Sequence, residues 1–480
     1  MRITGSRGGG GSQTQDHQTA VYIVGNALAG DTLFVCDFLD PGDGSGIAAA
    51  ITAATASGGL VYVRRGTYTF GGAGSPALPL VVPTRVRVEG EGGGGEGGRG
   101  SLTNLVAPGG ATAQDMFKLS ANASLEGVRI TVPANAGGAP GGAGVVQLLG
   151  AGARFAHSHI DMSGAAQRNT ALAVSTGTGV VDVTDMVVDS VDVDLPTVVS
   201  TGAIPYVAVV LGFTGQDCTG NTTEPIVRNV RTTGGQGGVW MLNIFGGVVD
   251  GLRSTNMLLS TTTLGVWWDA GGSALTTLQG PTILNPSLVI GTGSGSIDIT
   301  AIKVSSSYTG GASLTVTGTR IVAPFVRFTD VTTVGARVAI KIRIETNGTA
   351  QLVKGSISGG TSIGHEIGVL YSTRTANNAA NTVGAVNDWT CTGFVATNPI
   401  SIGPATPCGA MFEITTSTAA KINRCGVVGC DFSGAPATGY GVIINTHVTN
   451  SMVVANQLTP SGGTAYSDSG TGSQIGQNIV

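Results

Sequence analysis

Gly42-Asp43-Gly44-Ser45-Gly46 leads into Ile47, Ala50, Ile51 and Ala54, and Gly58-Gly59 leads out into Leu60-Val61-Tyr62-Val63. The four apolar residues recur at helical spacing, which predicts one short helix. Asp43 or Ser45 is placed to cap its start, and the glycine pair ends it. The run 60–63 is strand-like, and Arg65-Gly66-Thr67-Tyr68 turns into a second strand. Val82-Pro83-Thr84-Arg85-Val86-Arg87-Val88-Glu89-Gly90 then alternates apolar and polar residues, as a half-buried strand does.

Working outward, the rest of the chain repeats loosely. Ala153–Ile160 matches Gly179–Met186, Val227–Thr233 matches Val249–Thr255, and Gly238-Val239-Trp240 matches Gly265-Val266-Trp267. Val427–Gly434 and Met452–Leu458 read as further strands of the same kind. Spacings in the twenties predict one repeat per turn of a solenoid. At one strand spacing per coil, roughly fifteen coils make a rod of about 70 Å. Each coil buries its inward face only against its neighbours, so the core is a continuous apolar column.

Composition supports this reading. The chain has 480 residues, of which 79 are Gly and 41% hydrophobic, while only 11% are charged. Low charge with many Gly means disorder only when apolar residues are scarce, which is not so here. The net charge of −4 and the lack of a basic stripe argue against a nucleic-acid partner. No apolar run reaches transmembrane length, and the N-terminus carries no apolar signal core, so neither membrane insertion nor standard secretion is expected. The six cysteines, Cys36, Cys218, Cys391, Cys408, Cys425 and Cys430, include no Cys-x-x-Cys and read as buried free thiols. A Cys425–Cys430 disulfide is the alternative.

The order of turn, Ala-rich helix, Gly59–Val63 strand, Gly66-Thr67-Tyr68 turn and strand closing at Glu89-Gly90-Glu91-Gly92 resembles the entry segment of the pectate-lyase-like β-helix family. That family is found in phage tailspikes and virion decoration proteins. The resemblance implies an all-β, right-handed parallel β-helix whose N-terminal α-helix plugs the open end of the first coil. Such a plug hides strand edges that would otherwise recruit other chains. Arg64-Arg65 departs from the family, which usually has Pro before this Gly. Three segments are expected: a Gly-rich arm over 1–30 for docking, an entry segment over 31–92, and the β-helix body over 93–480. The family implies side-by-side homotrimers.

Residues that carry chemistry are few. A glycosidase needs two carboxylates at set separation. Asp192 and Asp194, two apart on one strand, share a face and are the candidate pair. The bland alternative is a solvated outer strand. A lyase would want carboxylates holding Ca²⁺ and a Lys or Arg base. None of the five Lys stands in an acidic neighbourhood of the sequence. His157-Ser158-His159-Ile160-Asp161 lacks a third ligand in view, so no metal and no cofactor is expected. Trp240 and Trp267 fall at equivalent positions of successive coils and are expected to stack. Trp267 and Trp268 must face opposite ways, leaving one of them outside beside Asp269. An outer aromatic with a carboxylate is a common way to hold a sugar ring. Trp240, Trp267, Trp268 and Asp269 are therefore the candidate glycan contacts, with core or subunit packing as the alternative.

Two functions follow. The first is a non-enzymatic bacteriophage spike, fibre or capsid decoration. It docks to capsid or tail proteins through the arm, sits on the virion surface and touches bacterial glycans. The second is a depolymerase, hydrolase or lyase, cutting capsule or lipopolysaccharide. Fold alone does not separate them.

Overall fold

The computed structural model describes residues 20–92, 99–109, 115–133, 144–164, 172–176, 184–198, 205–212, 225–258, 263–270, 277–291, 299–307, 314–329, 336–345, 350–373, 384–401, 406–414 and 421–480. Sheet A has 16 strands, from Phe38–Asp40 at one edge to Gln474–Gly476 at the other. Sheet B has 11 and sheet C has 13. A fourth sheet of 6 strands, Thr277–Gln279 to Val448–Thr449, lies between C and A in the second half of the chain. Strand pairing is parallel throughout, and the chain visits A, B and C in turn, as in Ser124–Glu126, Arg129–Thr131 and Gly144–Leu148. The molecule is a right-handed parallel β-helix. At the usual strand spacing, the 13 strands of sheet C span about 60 Å. Among the described residues, no helix is long and apolar enough to cross a membrane.

The corner from sheet A to sheet B shows how local sequence sets the coil. Left-handed backbone recurs at this corner, as in Gly127 (φ 68°), Asn229 (φ 53°) and Gly429 (φ 61°). Glycine and asparagine enter that region readily. Ala323 (φ 46°) and Ala455 (φ 57°) hold it too, at a cost of roughly 1 kcal/mol each. The repeating corner starts every B strand at the same point of its coil.

Inside sheet A, one column runs in register through Leu125, Phe155, Val188, Val227, Val249 and Ile283, then Ile321, Ile357, Cys391, Val427 and Val453. Every member is buried. Two of the expected repeats hold, since Val227 pairs with Val249 and Trp240 with Trp267. The third does not. Phe155 pairs with Val188, so Ala153–Ile160 matches a stretch beginning at Met186 rather than ending there. Most coils are also longer than expected. Leu125 to Phe155 is 155 − 125 = 30 residues and Val188 to Val227 is 227 − 188 = 39, whereas Val227 to Val249 is 249 − 227 = 22. The extra residues fall in the connections entering and leaving sheet C, which strand geometry does not fix in length.

The entry helix, Ser45–Ala54, buries Ile47, Ala50, Ile51 and Ala54 against the first coil. Most of its cap comes from Asp40 rather than from the two expected residues. Asp40 Oδ1 accepts from the backbone N–H groups of Gly42 (2.7 Å), Asp43 (2.9 Å) and Gly44 (3.1 Å), and Oδ2 accepts from Gly46 and Ile47. Asp43 accepts only from Ser45 N–H. Gly44 has φ 85°, and a side chain there would collide with the Phe70 ring. The strand expected over 82–90 is two strands, Leu80–Val82 in sheet C and Val86–Gly90 in sheet A, with a turn at Pro83–Arg85 between them.

Residues 1–19 of the expected arm lie outside the described residues, but its last part belongs to the body. Val21–Asn26 pairs with Phe38–Asp40 on one side and Gly59–Val63 on the other. Five cysteines are buried free thiols, and Cys218 lies outside the described residues. Cys430 Sγ is 3.8 Å from Cys391 Sγ on the neighbouring coil, so its nearest thiol is not Cys425.

Candidate functional site

The outer face of sheet C changes character along the rod. Val210, Trp240, Trp267, Lys303, Lys341, Leu370, Met411 and Ile443 are successive partners in one outward row. The next row runs Leu242, Asp269, Ser305, Arg343, Ser372 and Glu413. Before Val210 the first row runs Val81, Lys118, Gln147 and Ser175, and after Ile443 it reaches Ser467. Apolar side chains fill it at Val210 and from Leu370 to Ile443, where buried clusters form. Its middle carries indoles and ammonium groups instead.

These middle side chains form one network. The Trp240 and Trp267 rings meet edge to face, with centroids 5.1 Å apart and planes at 78°. They are stacked by coil but not ring on ring. Trp240 Nε1 donates to the Leu264 carbonyl at 2.9 Å, and the residue is 6% exposed. Lys303 Nζ lies over the Trp267 ring, 4.8 Å from its centroid, where cation and ring quadrupole attract. Trp267 Nε1 donates to Ser305 Oγ (3.1 Å), which donates to Asp269 Oδ1 (2.6 Å). Ser307 Oγ donates to the other Asp269 oxygen. Lys303 Nζ pairs with Glu345 Oε1 at 2.8 Å, and Arg343 Nε is 3.7 Å from the same oxygen.

The two carboxyls are driven apart. Burial pushes the Asp269 carboxyl above the ordinary range, against opposing hydrogen bonds from Ser305 and Ser307. Burial acts the same way on Glu345, but Lys303, Arg343 and Lys341 together hold it below the ordinary range. One carboxyl is biased toward the acid and the other toward the anion. That division is what acid–base chemistry between two carboxyls requires.

The expected contacts divide. Trp240, Trp267 and Asp269 come together on the outer face of sheet C. Trp268 does not join them. It is 1% exposed within the core and donates from Nε1 to the Gly246 carbonyl. Strand alternation left one of Trp267 and Trp268 outside, and it is Trp267. Asp269 is not beside it in water but buried at 1% exposure.

Asp192 and Asp194 do share a face, on the outside of sheet B, but they are not a solvated strand. Asp192 is fully buried. Arg99 reaches both, with Nε 2.6 Å from Asp192 Oδ2 and Nη2 2.8 Å from Asp194 Oδ1. His159 Nε2 lies 2.9 Å from Asp194 Oδ2. That hydrogen bond first, with Arg99 beside it, lowers the Asp194 carboxyl. The pair serves as a bracket for a guanidinium. His157 takes left-handed backbone at the corner (φ 48°), while His159 faces Asp194 from the sheet. Among the described residues, no three metal-ligating side chains converge.

Sequence reasoning missed Lys303, Lys341, Arg343 and Glu345. Lys118 does have a carboxylate close in sequence, Asp115 at 3.7 Å, and Lys303 finds its own in Glu345, 42 residues on. A signal was present. Lys341-Ile342-Arg343-Ile344-Glu345 alternates charge with β-branched residues, placing three charges on one face of one strand.

No family model matches the chain, and no curated protein does. Solved structures similar to it include the A-module of a mannuronan C-5 epimerase from Azotobacter vinelandii, at 14% identity and TM-score 0.45, covering 94% of this chain and 100% of that one. The endo-xylogalacturonan hydrolase of Aspergillus tubingensis matches at 12% identity and TM-score 0.39, covering 94% and 100%. Tailspike protein 3 of bacteriophage CBA120 matches at 12% and 0.34, covering 88% and 57%. Likeness at this level carries no argument, and the parallel β-helix rests on the chain's own strand pairing.

Proposed function

We propose that this chain is a spike, fibre or decoration of a bacteriophage particle that contacts a bacterial surface glycan along the outer face of sheet C. The single observation behind the glycan contact is the change within one outward row, from Val210 through Trp267, Lys303 and Lys341 to Leu370. Leu370, Met411 and Ile443 fill the same row on the following coils, so the β-helix itself does not demand cations there. Ammonium and guanidinium groups donate to sugar hydroxyls and carboxylates, and an indole offers an apolar edge to the ring. The particle context rests on the entry segment. Its turn, Ala-rich helix and glycine-led strands resemble those of phage β-helix proteins, and in this reading the segment ahead of the first coil docks to capsid or tail proteins.

A second reading, depolymerase activity, is favoured by the opposed carboxyls. Asp269 would act as acid and Glu345 as base or nucleophile on a glycosidic bond.

Incubation with host capsule and lipopolysaccharide, followed by sizing of the glycan, tests both. Intact glycan that co-elutes with the protein, and is lost with Trp267→Ala, supports the binding reading. Shortened chains that vanish with Asp269→Asn and with Glu345→Gln establish the depolymerase. Glycan neither retained nor shortened would sink both.

A further inference from the structure

An independent feature lies at the opposite end of the rod from the last coils. Between Val21–Asn26 and Phe38–Asp40 the chain makes one compact connection. Asp31 Oδ2 accepts from Asn26 N–H, Asp37 N–H donates to the Ile23 carbonyl, and Cys36 Sγ donates to the Thr32 carbonyl. This ordered turn presents Leu28, Leu33, Phe34 and Val35 to water, and Phe34 is 99% exposed. Leu39 on the adjoining edge strand is also exposed. Exposed apolar side chains are normal when scattered, but five within twelve residues on a pinned turn are not. The described flanks of the rod show only dispersed cases such as Val81, Leu149, Phe325 and Ile363.

We propose that this end of the molecule is a self-association surface, and that the partner seated on Phe34 is a second copy of this chain. Area decides between occupants. The five side chains expose on the order of 600 Å², at the upper limit for a free monomer. Two such patches bury on the order of 1,200 Å² together, which reaches the lower bound for a specific interface. Residues 1–19 are a poor cover, because they contain only Met1 and Ile3 among large apolar residues. The rim carries both signs, with Asp31 paired to Arg64 at 2.8 Å, so a like surface meets it without net repulsion.

Sedimentation of the full chain over a concentration series tests this. The expected result is a reversible oligomer whose dissociation constant rises roughly tenfold or more with Phe34→Ser. At 99% exposure Phe34 packs on none of the described residues, so this variant keeps its fold. Phe325→Ser, a partly exposed phenylalanine on sheet B, is the control and leaves association unchanged. A wild-type monomer at every concentration, or an oligomer indifferent to Phe34→Ser, overturns the proposal. So does association that appears only after residues 1–19 are removed, which would assign the patch to the leading segment.

Discussion

The inner column of sheet A and the outer row of sheet C run the same course along the rod, yet they obey different rules. Phe155, Val188, Val227 and Val249 stack in register with no charged residue among them. Each inward side chain packs against the coil before and the coil after, so one polar member would cost both neighbours apolar contact. The outer row passes from Val210 through Trp267, Lys303 and Lys341 to Leu370. Its composition is not imposed by stacking. What varies there is free to answer to something other than the fold, which makes the outer row the more informative of the two about function.

The comparison breaks most directly in the column. Phe155→Ala should cost roughly 3–5 kcal/mol, because a large ring is removed where the coils above and below hold their spacing. Guanidinium denaturation measures it. A loss below that of a surface substitution would show that the column relaxes around the hole, and that its uniformity is not what holds the rod together.

The same contrast explains what could be read in advance. The corners are local. Val227-Arg228-Asn229-Val230-Arg231 and Val249-Asp250-Gly251-Leu252-Arg253 place strand, left-handed residue and strand within five positions, so the repeat and the fold class were legible. The entry helix was legible for the same reason, although its cap was not. Asp40 reaches it across a turn of left-handed glycines that carries the carboxylate back over the helix start. The site was legible where it repeated, at Trp240 and Trp267, and at Asp269 beside them. Lys303 and Glu345 meet through coil register, and the coil length changes from one turn to the next with the connections around sheet C. No fixed spacing marks such a pair, so neither residue stood out. Asp192 and Asp194 stood out because they lie two apart, and their partner Arg99 arrives from a distant coil.

A pair of substitutions sharpens the comparison on the outer face. Glu345→Gln leaves the nearby cations without their shared anion and should cost about 2 kcal/mol. Met411→Ala, on the apolar stretch of the outer row, should cost a similar amount through lost packing. If the middle of the row is functional, only Glu345→Gln also changes glycan retention or cleavage. Equal effects of both on the glycan would reduce the charged stretch to packing.

The smallest expected effect is a slope. The Asp269 carboxyl is raised in the folded chain by burial, so the folded state keeps this proton after the unfolded chain has released it. From about pH 4, the ordinary Asp value, upward to the raised folded value, the unfolded state therefore binds fewer protons, and stability falls as pH rises. Glu345 has the opposite sign. Its carboxyl is lowered, so its contribution is present above the ordinary Glu range and is lost as pH falls through the lowered folded value. Asp269→Asn removes the first dependence and leaves the second. Denaturant midpoints of the two proteins should diverge in favour of the variant as pH rises above 4, while their acid limbs stay parallel. Parallel curves on both sides would mean that the hydroxyls of Ser305 and Ser307 solvate the Asp269 anion fully, and Asp269 could not then serve as the acid of any reaction on this face.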